Sequence, residues 1–391
     1  MRGTPVSGMQ QAHAARGNSE GATGNLTQLE FLALNSEFNL ADGHARQSLT
    51  AGQNQIVAEL PLLFAEGEKR PVEELEREAH AAFFTALGQH SYPTAPGRVL
   101  SCYSSSVAME ILSRALAETT ESVALVHPTF DNIADLLRGN GLKLVPLAED
   151  PLHGDDLHTD LLASVGCVFV TTPNNPTGRV VSKERLTRLA EQCAAHGVVL
   201  ALDTSFRGFD TRAHYDHYEV LQASGVRWVV IEDTGKLWPT LDLKVGMLVH
   251  SENLALPVEK IYSDILLGVS PLILAMVRRF SEDAANGGLA DLHRFIASHR
   301  AMVREELAGL PGVTVPDPDS RASVERIGIE DLTGTQVWER LRAHNVYALP
   351  CRAFHWADPT QGDHTLRLAL ARATDPLTQS VRALRHVLQQ R

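Results

Sequence analysis

Between residues 99 and 250, short and nearly continuous apolar runs alternate with segments whose apolar positions recur every three or four residues. The runs are SVALVHP (122–128), GCVFVTTP (166–173), GVVLALDTSF (197–206), RWVVIEDTG (227–235) and GMLVHS (246–251). A strand apolar at successive positions is one buried on both faces. KERLTRLAEQCAAHG (183–197) has the helical period and closes on Gly197, a C-terminal cap signal. Strands alternating with helices predict an α/β domain around a mostly parallel sheet, with binding chemistry at the carboxyl ends of its strands. Helical periodicity dominates from about 253 to 310, and a mixed α+β tail runs on to Arg391, without internal repeats.

Each predicted strand end carries reactive or adhesive residues: TTPNNPTG (171–178), DTSFRGF (203–209) and EDTGK (232–236). SCYSSSVAMEIL (101–112) opens a helical pattern on Ser104, Ser105 and Ser106. Those serines read either as a helix cap or as the seat of an anion such as phosphate. Taken together, a phosphate seat, a carboxylate beside a ring nitrogen and a lysine able to form an imine describe a pyridoxal phosphate (PLP) site. Lys236 is then the Schiff-base lysine that later moves the Cα proton. Asp203 keeps the pyridine nitrogen protonated, Asn175 donates to the phenolic oxygen, and Lys244 balances the phosphate. Ser205, in the same turn as Asp203, is counted among the cofactor residues.

In this order, Asn175-Pro176-Thr177-Gly178, Asp203, Lys236, Lys244 and Arg367 resemble the signature of the fold-type I, aspartate-aminotransferase-like enzymes over about residues 50–391. The resemblance implies a fold-type I PLP-dependent transferase, with a large, mostly parallel-sheet domain and a smaller α+β domain. The expected divisions are a disordered leader (1–24), an arm or lid helix (25–48), the large domain (49–285) and the small domain (286–391). It also implies a homodimer; residues 259–277 read either as part of that interface or as a core helix. Arg367 would grip a substrate α-carboxylate as a fork, and Phe130 would stack on the pyridine ring. Three positions depart from the family pattern: Asp233 replaces a serine, Phe206 a tyrosine, and Gly235 a serine before the lysine.

The segment NLTQLEFLALNSEFNLADGHARQ (25–47) spaces Thr27 and Glu30 as in a helix capping box. With HPTFDNIADLLRGNGL and EDTGKLWPTLDLK it also resembles a narrower group over residues 25–391. These are the PLP-dependent L-arginine oxidases and hydroxylases of the enduracididine and azomycin antibiotic pathways. What that implies is oxidation of L-arginine by dioxygen, with no metal or flavin, to 4-hydroxy-2-oxoarginine and 2-oxoarginine, ammonia and hydrogen peroxide. Thr27, Glu30 and His44 would lie on a helix closing over the substrate; Glu30 and Asp233 would hold its guanidinium, with Asp42 among the substrate contacts. His44 would position or activate the water that becomes the hydroxyl.

Composition narrows the picture only slightly. No apolar run approaches the ~18 residues of a membrane span, and residues 1–24 lack the apolar stretch of a secretory signal. A net charge of −12 opposes nucleic acid as a partner. Four scattered cysteines predict reduced thiols in a cytoplasmic protein. His214 and His217 in HYDHY do not make a metal site, and no GxGxxG is present for a flavin. Two alternatives follow from the same residues. One is a guanidino-amino-acid aminotransferase; the other, a PLP-domain transcription regulator, would need a DNA-binding module that residues 1–24 are too short to supply.

Overall fold

The structure, a computed structural model, describes residues 24–154 and 156–390; the leader expected over 1–24 lies outside them but for Gly24. Seven strands form the larger sheet: β1 (Val99–Cys102), β2 (Ser122–His127), β3 (Lys143–Ala148), β4 (Cys167–Thr171), β5 (Val199–Asp203), β6 (Trp228–Asp233) and β7 (Gly246–His250). Their order is β1-β7-β6-β5-β4-β2-β3. The β2–β3, β2–β4, β4–β5 and β5–β6 pairs are parallel, and β7 runs against both of its neighbours.

The apolar runs explain this placement. Every residue of β4, β5, β6 and β7 is buried. Successive residues serve opposite layers: Val230 joins the core that holds Phe83 and Phe280, and Ile231 joins the core that holds Ile111 and Leu112. Each such side chain contributes about 1.5–3 kcal/mol when removed from water. Edge strand β3, which carries Pro146, is largely exposed, as a strand pairing on one side only can be.

Helix Pro271–Asp283 buries Ile273, Leu274, Met276, Val277 and Phe280 in that core, so most of the 259–277 segment's apolar side chains are inward. Leu267, before it, is fully exposed. The helical path breaks at Asn286 and Gly287, and Leu289–Leu307 then packs against Thr374–Gln389. Between them lies an antiparallel sheet of β8 (Val313–Thr314), β9 (Val324–Ile329), β10 (Leu349–Pro350) and β11 (Thr365–Ala369), ordered β10-β11-β9-β8. This is the expected architecture: a mostly parallel α/β layer system with a smaller α+β unit.

The amino-terminal arm begins with helix Leu26–Ala33, whose Leu26, Leu29 and Ala33 pack with Trp338, Leu349 and Phe354. It continues as a strap along the small sheet: Leu40 N–H donates to the Tyr347 carbonyl, Ala369 N–H to Leu40 and Arg46 N–H to Ala371. The buried guanidinium of Arg372 donates to the carbonyls of Asn39, Asp42 and His44. Among the described residues, no helix is long and apolar enough to cross a membrane.

Candidate active site

The loops that follow β2, β4, β5 and β6 open at the same edge of the sheet, and the arm crosses above them. They border a cleft lined by Glu30, Gly43, Ser105, Ser106, Phe130, Asn175, Asp203, Ser205, Phe206 and Lys236. Ser105 and Lys236, 131 positions apart in sequence, meet because the sheet gathers strand carboxyl ends on one side, and the arm adds Glu30 and Gly43.

Asp203, the last residue of β5, is buried, and its Oδ1 accepts from Ser205 N–H at 3.0 Å and Ser205 Oγ–H at 2.5 Å. Burial pushes its carboxyl up to about 6, against the Ser205 hydrogen bonds, with Asp233 adding repulsion. Behind it, Arg207 is braced against Glu232 at 2.8 Å, and Tyr218 donates to the same carboxylate at 3.1 Å. This buried pair ties the turn after β5 to the end of β6.

Lys236 stands in a single 3-10 turn after β6, with its Nζ 5.9 Å from the Phe206 ring centre. Asp233 turns away from open space. Its Oδ2 accepts from Ser105 Oγ–H at 2.7 Å and its Oδ1 from Gly235 N–H at 2.7 Å. Burial would raise its carboxyl, yet the charges of Lys236 and Lys244, with the Ser105 hydrogen bond, hold it below the usual carboxylate value. An added Cβ at Gly235 would stand 2.4 Å from Lys244 Cδ, so glycine here makes room for that lysine.

The three serines divide their work. Ser104 is the N-cap of Ser105–Ala117 and accepts from Val107 N–H at 3.3 Å. Ser105 serves Asp233, and Ser106 accepts from Asn132 Nδ2 at 3.1 Å. Phe130 meets Phe354 edge-on at 5.9 Å. Asn175 Oδ1 is buried without a hydrogen-bond partner among the described residues.

The arm delivers the remaining candidates. Helix Leu26–Ala33 is capped by Asn25, whose Oδ1 accepts from Gln28 N–H, so the capping-box spacing of Thr27 and Glu30 is not used. Leu26 and Leu29 take the inward face, which leaves Thr27 exposed and outside the cleft lining. Glu30 reaches inward and pairs with Arg367 Nη2 at 3.1 Å. Arg367 is fully buried, and its Nε and Nη1 have no partner among the described residues. Asp42 does not line the cleft either; its carboxylate is held by His44 Nδ1 at 2.6 Å and Arg46 Nε at 2.8 Å. His44 Nε2 in turn faces Lys244 Nζ at 2.7 Å.

Several contributors escaped the sequence reading. Asp131 Oδ2 accepts Leu26 N–H at 2.7 Å and so ties the arm helix to the large unit. Arg372, five residues after Arg367, has a similar signal: an arginine at the end of an apolar strand needs a buried partner. Phe354 lies 5.6 Å beneath the Arg367 guanidinium. His214 and His217 instead bond around Arg207, and no group of three or more metal-ligating side chains occurs among the described residues.

The donor set fits pyridoxal phosphate. A buried carboxylate already short of positive charge suits a protonated ring nitrogen, the amide of Asn175, which lines the cleft, has an Nδ2 to offer a phenolic oxygen, and the N-terminus of helix Ser105–Ala117 suits a phosphate.

Comparisons with known proteins agree. A histidinol-phosphate aminotransferase of Methanoculleus marisnigri is 28% identical over 271 residues, 67% of this chain and 69% of that protein. An aromatic amino acid aminotransferase of Rhodococcus jostii is 26% identical over 61% and 65% of the two chains. Among solved structures, MppP soaked with the product 2-ketoarginine is 70% identical, covers 90% of this chain and 99% of its own, and has a TM-score of 0.89. Aspartate aminotransferase from Thermus thermophilus with maleate shares the fold at 17% identity, with a TM-score of 0.75 over 99% and 100% of the chains. With the family model for aminotransferase class I and II matching residues 70–384, the chain belongs to that family of fold-type I, PLP-dependent enzymes.

Proposed function

We propose that this enzyme oxidises L-arginine with dioxygen, giving 2-oxoarginine and 4-hydroxy-2-oxoarginine, ammonia and hydrogen peroxide. The observation that carries the reading is the 70% identity, over nearly the whole of both chains, to MppP, which was soaked with its product 2-ketoarginine. Each two-electron oxidation reduces one dioxygen to peroxide, and water supplies both the keto oxygen and the hydroxyl. Service in an azomycin- or enduracididine-type pathway, in the cytoplasm and as a homodimer, belongs to the same proposal. Exposed Leu62, Phe64 and Leu267 are apolar side chains that an assembly would cover.

Bound PLP supplies an electron sink that makes the Cα proton acidic. Lys236 binds the cofactor and carries that proton, Asp203 holds the proton on the ring nitrogen, and Phe130 flanks the ring. Ser104, Ser105, Ser106 and Lys244 seat the phosphate, with Ser205 orienting Asp203 and Asn175 facing the phenolic oxygen. Arg367 takes the α-carboxylate as a fork, which joins Nη2, now held by Glu30, to one of the unpartnered nitrogens Nε and Nη1. Glu30 holds the guanidinium, while Asp233, engaged by Ser105 and Gly235, offsets Lys236 and Lys244, and His44, oriented by Asp42, positions water. The arm that carries Thr27, Glu30 and His44 keeps bulk solvent out of the cleft.

Family membership favours a second reading, transamination of a guanidino amino acid. Oxygen uptake by the purified protein with L-arginine alone, read together with peroxide and product mass, decides between them. Uptake with a product one oxygen heavier than 2-oxoarginine is expected. Turnover only after pyruvate or 2-oxoglutarate is added would replace the oxidase with an aminotransferase.

A further inference from the structure

Arg367 is a buried cation whose counter-charge comes from the arm. Its side chain has no exposure, and among the described residues Glu30 is the one carboxylate in ion-pair contact with it. Arg326, its register partner across β9 and β11, is already neutralised by Asp317 through contacts of 2.7 and 2.9 Å. The aromatic face of Phe354 supports the Arg367 guanidinium but cannot neutralise it. A buried charge left without a partner is strongly unfavourable, so the closed arm and Arg367 depend on one another.

We propose that Glu30 exchanges partners and thereby selects the substrate: it neutralises Arg367 in the empty site and passes to the substrate's cationic side chain when the α-carboxylate takes its place. This rests on reading Arg367 as the carboxylate site and L-arginine as the substrate. The selectivity comes from counting charges. An amino acid with a neutral side chain brings a carboxylate to Arg367 but leaves Glu30 half-buried and unpaired, or still competing for Arg367. A guanidino compound without a carboxylate draws Glu30 away and strands Arg367. A ligand carrying both groups leaves every charge paired, and the arm stays closed over it.

The two half-ligands make the test. L-norvaline has the stem and carboxylate of arginine without the guanidinium, and agmatine has the guanidinium without the carboxylate. Their binding to the cofactor-loaded full chain and to Glu30→Gln is measured by calorimetry without oxygen. Relief of competition at Arg367 should tighten L-norvaline about tenfold, the scale of one charge-assisted contact. In the same variant L-arginine weakens by at least that factor, and agmatine does not tighten. Unchanged or weaker L-norvaline binding would overturn the exchange. Equal tightening of L-norvaline and agmatine would also overturn it, because a merely loosened arm admits both alike. If the native protein fails to oxidise L-arginine while Glu30→Gln still gains L-norvaline affinity, the substrate reading falls and the competition at Arg367 stands.

Discussion

Lys244 Nζ lies 2.7 Å from Nε2 of His44, a residue two hundred positions earlier in the chain. With the lysine donating, Nε2 accepts, and the ring proton belongs on Nδ1, facing Asp42 Oδ1 at 2.6 Å. The arm is therefore joined to the segment between Lys236 and β7 by a polar chain, Asp42–His44–Lys244, in addition to its apolar packing. Both ring nitrogens are thereby engaged, which fixes the imidazole, and Nε2 can meet a water only where Lys244 turns away from it.

The first prediction concerns Asp42. Both carboxylate oxygens accept, one from His44 and one from Arg46, and an asparagine offers only one acceptor. Asp42→Asn should loosen residues 38–46 by roughly 3 kcal/mol, the cost of breaking a buried pair from one side. Hydrogen exchange across the strap measures this directly. Burial alone would raise the Asp42 carboxyl, but His44 and Arg372 outweigh burial and hold it well below the ordinary 3.8. A depressed acid lends stability that is complete above its unfolded value. Strap protection should therefore stay level above about pH 4 and fall only in more acidic solution.

Asp203 predicts the opposite sign. Burial raises its carboxyl to about 6, so between the ordinary 3.8 and that value the folded chain holds a proton the unfolded chain releases. Stability of the cofactor-free protein should fall as pH rises through this window, by on the order of 1–3 kcal/mol. Asp203→Asn should accordingly raise the melting temperature of the cofactor-free protein at pH 7 while weakening cofactor retention. A variant less stable at pH 7 than the native chain would contradict the burial argument.

These two acids mark how far the sequence was legible. Asp203 could be found because it ends a continuous apolar run, where burial and chemistry coincide. The same logic located β2, β4, β5, β6 and β7, and left out β1 and β3. β1 is short, and β3 is an exposed edge strand, so neither carries a long apolar run. Phe130 and Lys236 were legible by motif. Asp42's partners were not, because a strap residue's contacts depend on how the arm crosses the small sheet. Nor does local pattern relate Arg372 to carbonyls more than three hundred residues earlier, or Glu30 to Arg367. Thr27 misled for a local reason: Asn25, two residues before it, caps the helix and sets which face turns inward.

Asp131 gives the arm helix its own pH response. Its Oδ2 accepts Leu26 N–H, and burial, with help from Asp135 and Glu30, pushes its carboxyl up to about 7. A raised acid loses stabilising effect as pH climbs from its unfolded value to its folded one. Exchange protection of residues 25–33 should therefore be greater at pH 6 than at pH 8, after correction for intrinsic rates. Asp131→Asn keeps an acceptor without a titrating charge and should flatten the difference. Asp131→Ala removes the acceptor and should cost about 1 kcal/mol of helix docking, or fivefold faster exchange.

The last prediction separates room for the fold from room for the reaction. A Cβ on Gly43 would lie 3.7 Å from Lys236 Nζ and 3.9 Å from Phe206 Cζ, both ordinary contact distances. Nothing in the folded chain is displaced, and the backbone there is not in the left-handed region that demands glycine. Gly43→Ala should consequently leave stability unchanged or raise it by about 0.5 kcal/mol, through a stiffer unfolded chain. The methyl would, however, stand beside Lys236 Nζ, the nitrogen proposed to carry the Cα proton, in space the proposed reaction uses. One methyl group in a fitted pocket is worth roughly tenfold or more in kcat/KM. Parallel melting curves and initial rates decide the matter. A rate loss without a stability loss assigns Gly43 to the reaction space, and an unchanged rate means the arm clears Lys236 by more than a methyl group whenever substrate is bound.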